Sequence, residues 1–292
     1  MTVPARTLPH VSARLKKALQ RGFALLQACN TQLTARAALA LYLHPSRREV
    51  DAIDRDCLAR ACVQWMPLGN GQLRVLTWGT GPRTVVLLHG WGSHAPRWSN
   101  MVEQLLAQGW RVIAFDAPGH GKSSGSGSSL PQFEAALGAV LATHAPVHAL
   151  IAHSLGALAA AAVLSRTPPV TLRAAVLVSL PHDIAYLMES YEQMLQLRAP
   201  AREQLVQLFV QRFGVRPEEV TARSLLPGIA CPVLLVHDRE DDVVPLEQAQ
   251  QLAPLLQHGS LHITQGLGHS ELLRDPAMIG AAVGFIGAAL RD

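Results

Sequence analysis

The largely apolar run Val147 to Ile151 is followed by Ala152-His153-Ser154-Leu155-Gly156 and then by the helix-forming run Ala157 to Leu164. A strand that passes through a single serine directly into a helix leaves the chain few alternatives. The serine must sit on a sharp turn in strained backbone dihedrals, its hydroxyl pushed out of the sheet and a helix N-terminus behind it. Two residues before and two after the serine, a side chain would wedge the strand away from the helix, and these places hold Ala152 and Gly156. Five residues alone are equally compatible with a serine that caps an ordinary helix.

Other stretches repeat the layout. Thr84 to Leu88 is a short β-branched and apolar run that ends in His89-Gly90-Trp91-Gly92, and Arg111 to Phe115 ends in Asp116-Ala117-Pro118-Gly119-His120-Gly121-Lys122-Ser123. Cys231 to His237 leads into Asp238-Arg239-Glu240-Asp241-Asp242-Val243-Val244-Pro245, and Leu261 to Thr264 leads through Gly266-Leu267-Gly268 to His269. Each apolar strand delivers polar residues at its carboxyl end, where open α/β sheets build their sites. The chain order serine, acid, histidine is that of one hydrolase architecture.

On these residues the chain resembles the α/β-hydrolase superfamily, in its single-domain serine esterase and carbon-carbon-bond hydrolase branch. The likeness rests on His89-Gly90-Trp91, Asp116-x-Pro-Gly-His-Gly-x-Ser123, Ala152-x-Ser154-x-Gly156, Asp241-x-x-Val244-Pro245 and Gly268-His269. It implies a mostly parallel central sheet flanked by helices, with a helical lid and, in this chain, an extra N-terminal helical segment. Residues 57–292 are expected to form the hydrolase domain and residues 1–56 the extension.

Spacing of apolar and turn residues predicts the elements. Cys62 to Met66 and Gln72 to Trp78, separated by Gly69-Asn70-Gly71, read as an antiparallel hairpin. Strands over 84–89, 111–116, 147–153 and 173–180 alternate with helices near 97–108, 131–144 and 155–165, which demands parallel pairing with right-handed crossovers. The rhythm breaks over about 181–226, where helical periodicity runs without a strand, and the family resemblance puts the lid here. Ser270 is read as the cap of the final helix.

The sequence has a pI of about 9.1, so a nucleic-acid partner has to be weighed. Residues 1–60 hold ten Arg and Lys against four Asp and Glu, and the net charge of +4 for the whole chain leaves −2 for the remainder. The surplus is confined to the N-terminal segment and has no aromatic residues interleaved for base stacking, so no nucleic acid is expected. Two helical patterns occupy this segment. Leu15, Leu19, Phe23 and Leu26 form an apolar stripe with Lys16, Lys17 and Arg21 off it, and a second pattern runs from Thr31 to about Leu43, before Pro45. Such a pair can pack on the body, join two subunits or touch an anionic membrane surface; packing is the expectation. No apolar run is long enough to span a membrane. Phe23 to Cys29 is short and lacks a cleavage-like site, so no secretory signal is expected. Cys29, Cys57, Cys62 and Cys231 lack metal-ligand spacing and read as reduced, buried thiols of a cytoplasmic protein.

Ser154 is the expected nucleophile and needs a neighbouring base to take its proton. His269, on a glycine-flanked loop after the last strand, is the candidate base. Register with the family pattern selects Asp241 as the acid, with Asp242 the alternative. Asp238 stands where that pattern has glycine, whose dihedrals aspartate reaches only at a cost. The resemblance assigns the oxyanion hole to the backbone N–H groups of Trp91 and Leu155. Trp91 is also a candidate wall of the substrate pocket, together with Leu187, Met188 and Tyr191 on the apolar face of the lid. His120 and Asp116 have no partners at metal-ligand spacing, and neither metal nor cofactor is expected. The expected activity is cleavage of small apolar carboxylic esters, of short to medium acyl length, through an acyl-enzyme on Ser154, in a monomer or homodimer. The same triad serves carbon-carbon hydrolases, thioesterases, lactonases and acyltransferases. A reading from another class is a small-ligand receptor that retains the triad.

Overall fold

Residues 85–88, 149–152, 174–178 and 233–236 are runs of Val, Leu, Ile and Ala without polar interruption, as strands covered on both faces require. The computed structural model describes residues 13–290, and it builds these runs into one eight-stranded sheet among the described residues. In chain order the elements are α1 (Ala13–Cys29), α2 (Thr31–Leu43), α3 (Ala52–Ala59), β1 (Cys62–Leu68), β2 (Gly71–Trp78), β3 (Arg83–Leu88), α4 (Ser99–Ala107), β4 (Trp110–Phe115), α5 (Leu130–Thr143), β5 (Ala149–His153), α6 (Leu155–Arg166) and β6 (Ala174–Val178). There follow α7 (Ile184–Leu195), α8 (Ala199–Phe213), α9 (Ala222–Leu225), β7 (Val233–Asp238), α10 (Leu246–Leu252), β8 (Gly259–Thr264), α11 (Gly268–Glu271) and α12 (Pro276–Ala288). The chain separates into two compact units: residues up to His44 with His182–Thr221, and Pro45–Pro181 with Ala222 onward.

The larger unit holds the sheet, in the order β1-β2-β4-β3-β5-β6-β7-β8. The hairpin β1–β2 is antiparallel, β2 joins β4 antiparallel, and every pairing from β4 through β8 is parallel. Strand alternation sends Val85 and Leu87 of β3 with Val112, Ile151 and Val176 into a core shared with Trp98, Met101, Met278 and Ile279 of the covering helical layer. The opposite face carries α5 and α6, packed on each other. Parallel register aligns Leu88 with Ala152, Ala152 with Leu177, and Val178 with Val236, which brings the carboxyl ends of β3, β5, β6 and β7 to one edge.

Helix α3 is tied to this body by polar contacts. Asp54 is fully buried, accepts a hydrogen bond from the Ser99 hydroxyl, and takes both guanidinium nitrogens of Arg274 at 2.9 Å. Trp78 Nε1 donates to the Cys57 carbonyl at 2.8 Å. The smaller unit consists of α1, α2, α7 and α8. Asn30 caps α2, its Oδ1 accepting from Leu33 N at 2.8 Å, and Asp183 caps α7 by accepting from Tyr186 N at 2.6 Å.

Two readings of the sequence are corrected. Cys57 is buried but Cys231 is only half-buried, and Cys29 and Cys62 are exposed free thiols, because they stand at the end of a surface helix and the start of an edge strand. Ser270 lies within α11 and does not cap the final helix; Asp275 does, accepting from Met278 N at 2.7 Å ahead of Pro276 at the first helical position. The Asp54–Arg274 pair gives a stability prediction. Asp54→Ala leaves Arg274 without its buried partner and should cost about 3 kcal/mol in urea unfolding at pH 7; a loss below about 1 kcal/mol would show that the pair does not anchor α3.

Candidate active site

Ser154 joins β5 to α6 at φ 54° and ψ −123°, a combination that an L-residue adopts only when its surroundings enforce it. The adjoining strand, the first turn of α6 and two glycines enforce it here. The Ser154 N–H donates to the Val178 carbonyl of the adjoining strand at 2.9 Å, and its carbonyl accepts from Ala157 N and Leu158 N as α6 begins. A Cβ on Gly156 would stand 2.4 Å from the His89 carbonyl oxygen, so only glycine lets α6 start this close to the end of β3. A Cβ on Gly90 would meet Ser154 Cβ at 2.9 Å, which brings the loop after β3, and with it the Trp91 backbone, beside the serine. The methyl of Ala152 is accommodated with no exposure at all.

The Ser154 hydroxyl donates to His269 Nε2 at 3.1 Å. On the other side of the imidazole, Nδ1–H donates to Asp241, 2.8 Å from Oδ2 and 3.0 Å from Oδ1. Asp241 Oδ1 also accepts from Val243 N and Val244 N at 2.9 and 2.8 Å. Burial pushes the Asp241 carboxyl upward, but the hydrogen bond and charge of His269, the Val244 N–H and the nearby His237 outweigh it and hold the group at about 2. Asp241 is buried, whereas Asp242, the alternative acid, is exposed.

His153, Asp238 and Arg97 hold the His269 loop in place. His153 Nε2–H donates to the His269 carbonyl at 2.9 Å, with ring centroids 4.8 Å apart. Asp238 lies at a negative φ and puts its carboxylate to use: it accepts from Glu240 N, Gly268 N and the Thr264 hydroxyl at 2.9, 3.0 and 2.7 Å. The aspartate that replaces glycine thus cross-links the acid loop to the histidine loop. Arg97 donates to the Ser270 carbonyl at 3.1 Å and to Glu271 at 2.6 Å. The only signal for His153 in the sequence is its place beside Ser154, and Arg97 gives none.

Buried imidazoles around Asp241 and His269 are held in the neutral form by desolvation. Burial lowers His89 to about 4 and His120 to about 3, and pushes His153 and His237 below the ordinary histidine value. His89 Nδ1–H donates to the Gly90 carbonyl at 2.7 Å while Nε2 accepts from Ala117 N at 3.0 Å, so both ring nitrogens are satisfied in the uncharged form. The half-exposed Trp91 ring stacks on Phe133 and meets His120 edge-on at 5.1 Å. Leu155 opens α6, where the first N–H groups have no acceptor within the helix. Leu187, Met188 and Tyr191 lie on α7 of the smaller unit; Met188 is buried, and the Tyr191 hydroxyl donates to the Leu41 carbonyl at 3.1 Å. Asp116 pairs with Arg74 at 2.8 Å and accepts from Ala95 N and Lys122 N, and no group of three potential metal ligands exists among the described residues.

A serine on an enforced turn, hydrogen-bonded to an imidazole that is itself held by a buried carboxylate, is an arrangement for nucleophilic acyl transfer. The chain is 30% identical over 240 residues to pimeloyl-[acyl-carrier protein] methyl ester esterase of Chromobacterium violaceum, covering 69% of this chain and 92% of the relative. The chain belongs to the α/β-hydrolase superfamily. It is a serine hydrolase of that family. The model of the family described as serine aminopeptidase, S33, matches residues 81–221. A 2-hydroxy-6-oxononadienedioate/2-hydroxy-6-oxononatrienedioate hydrolase of Dechloromonas aromatica is 26% identical over 68% of this chain and 84% of its own. Among solved structures, an esterase of Pyrococcus furiosus superposes with a TM-score of 0.64 at 22% identity, over 85% of this chain and 98% of that one, a likeness of fold.

The buried neutral histidines of this hydrolase predict a pH dependence of stability. A histidine whose folded pKa is depressed refuses a proton that the unfolded chain accepts, so its contribution is present above about 6.5 and falls as pH drops toward the folded value. Each such histidine costs about 2 kcal/mol between pH 6.5 and 5. Urea unfolding should therefore report a loss of more than 2 kcal/mol between pH 7 and 5, and a flat profile over this range would contradict the neutral assignment of His89 and His120.

Proposed function

We propose that the protein hydrolyses carboxylic esters with short to medium apolar acyl groups, with Ser154 as nucleophile, His269 as general base and acid, and Asp241 as the group that orients and stabilises the imidazolium. The observation that carries the reading is the continuous path from Ser154 Oγ to His269 Nε2 at 3.1 Å and from His269 Nδ1 to Asp241 Oδ2 at 2.8 Å. Oγ attacks the ester carbonyl carbon as its proton passes to Nε2. The carbonyl oxygen becomes an oxyanion, for which the Trp91 and Leu155 N–H groups are the donors. As the intermediate collapses, the alcohol leaves with the proton from His269 and an acyl-Ser154 remains. Water then gives a proton to His269 and attacks the acyl carbon, and the carboxylic acid departs as Ser154 regains its hydrogen.

Support for an ester substrate comes from the relative named as a methyl ester esterase, whose alcohol portion is small. Trp91 suits the wall of an acyl pocket, since its ring is half-exposed and fixed by Phe133 and His120. The relative named as a 2-hydroxy-6-oxononadienedioate hydrolase favours carbon-carbon hydrolysis as a second reading with the same residues.

Turnover of a panel of p-nitrophenyl esters from acetate to decanoate, beside a dienedioate of the kind named for that relative, separates the two. Ester cleavage that peaks at short to medium chains is expected, and turnover of the dienedioate alone would overturn the ester reading. Ser154→Ala should lower kcat by about three decades or more with unchanged melting, because only the attacking oxygen is lost; retained turnover would remove Ser154 from its role.

The acid assignment gives a separate comparison. Asp241→Asn should depress kcat by about 10³–10⁴-fold through the wrong imidazole tautomer, while exposed Asp242→Asn should change it by less than about threefold. Equal losses would transfer the role away from Asp241.

A further inference from the structure

Within the smaller unit, α1 has two faces of different fate. Phe23 is buried, Gln20 Nε2 donates to the Met194 carbonyl of α7 at 2.9 Å, and Gln27 Oε1 accepts from Arg198 N at 2.6 Å. That side is the packed one. Next to it Leu15, Leu19, Gly22, Leu25, Leu26 and Cys29 follow one another at helical spacing and, with Phe23 itself and Ala37 of α2, line an open apolar groove of about 570 Å³. Leu25 is 72% exposed, Leu15 52% and Leu33 of α2 51%. The expected stripe of Leu15, Leu19, Phe23 and Leu26 thus lines one groove with unequal cover: Phe23 is buried, Leu19 and Leu26 are half-buried and Leu15 is exposed.

The charge beside this groove has one sign. The first 48 residues contain eight Arg and Lys and no Asp or Glu. Arg14, Lys17, Arg21 and Arg36 are exposed and Lys16 half-exposed, and none of the five has an ion pair among the described residues. Apolar side chains at helical spacing with cations along their border are what a helix needs to lie in the plane of an anionic lipid surface. The leucines enter the headgroup and acyl boundary while the cations meet the headgroups. A second copy of this chain fits poorly in the groove, because two such faces would oppose like charges with no carboxylate on either to pair them.

We propose that the α1–α2 face is a docking surface for an anionic lipid bilayer. It is independent of the catalytic reading, since its residues belong to one unit and Ser154, Asp241 and His269 to the other.

Full-length protein is sedimented with vesicles of phosphatidylcholine alone and of phosphatidylcholine with phosphatidylglycerol. Binding to the mixed vesicles, lost on raising salt, is expected; each cation removed should weaken it about fivefold. Leu25→Glu should reduce binding at least tenfold, as should Lys16→Gln with Lys17→Gln, and Val170→Glu, at a residue 97% exposed in the larger unit, should leave it unchanged. Circular dichroism of each variant establishes that α1 and α2 are intact. Ser154→Ala should bind as the parent does, so loss of esterase activity and loss of docking are read separately. Absence of binding to the mixed vesicles, equal binding by Leu25→Glu, or a concentration-dependent dimer abolished by Leu25→Glu without vesicle binding would overturn the proposal, the last in favour of a second copy.

Discussion

The absence of a side chain at Gly156 is the constraint on which the rest of the site depends. It lets the first turn of α6 rest against the His89 carbonyl oxygen, a contact that any Cβ would occupy at 2.4 Å. That approach fixes the path of the chain between β5 and α6, and Ser154 must then take a φ of 54°. The strain is held by hydrogen bonds on both sides, the N–H to Val178 and the carbonyl to the first turn of α6. Gly90 repeats the device from the neighbouring strand, so the Trp91 backbone arrives beside the serine. The turn at Ser154 is thereby shaped by two close approaches at the end of β3.

Electrostatics in the larger unit follow a simple division. One carboxylate, Asp241, is buried next to His269 and is kept ionised by donors that outweigh the cost of burial. The surrounding imidazoles are buried without such a partner and remain neutral, where they serve as hydrogen-bonding struts. His153 is the strut beside Ser154 and His269, since it donates to the His269 carbonyl. Asp238 and Arg97 fasten the same loop from two other directions. A loop fixed at three points keeps its imidazole oriented without relying on the substrate for order.

The smaller unit applies a different physics. Its helices α2 and α7 are joined through Tyr42, Tyr191 and Leu41, with the tyrosine rings edge-on at 5.5 Å. The outer face of α1 keeps leucines in water beside a row of cations, an expense in free energy that folding of the chain alone does not recover. Asp and Glu are confined to the chain beyond residue 48, so this unit's N-terminal helices differ in electrostatic character from the slightly acidic remainder.

What could be read in the residue order was whatever is decided locally. The strand, serine and helix at Ala149 to Leu164, the hairpin around Gly69-Asn70-Gly71 and the span of α2 from Thr31 to Leu43 all depend on spacing, turn chemistry and steric size within a few neighbours. Other features depend on groups far apart in the chain, and the order alone was silent on them. His153 meets the His269 carbonyl across 116 positions, and Arg97 meets Ser270 across 173. Asp238, anticipated as a misfit where glycine is usual, became a cross-link because Thr264 and Gly268 converge on its carboxylate. Between adjacent Asp241 and Asp242 the backbone of the folded loop decided which carboxyl turned toward His269. The apolar stripe on α1 was visible as a pattern, but only its packing on α2 and α7 determined that Phe23 is covered and Leu25 is not. Local sterics are written in the sequence itself; the partner of a hydrogen bond or of an apolar face exists only once the chain has closed on itself.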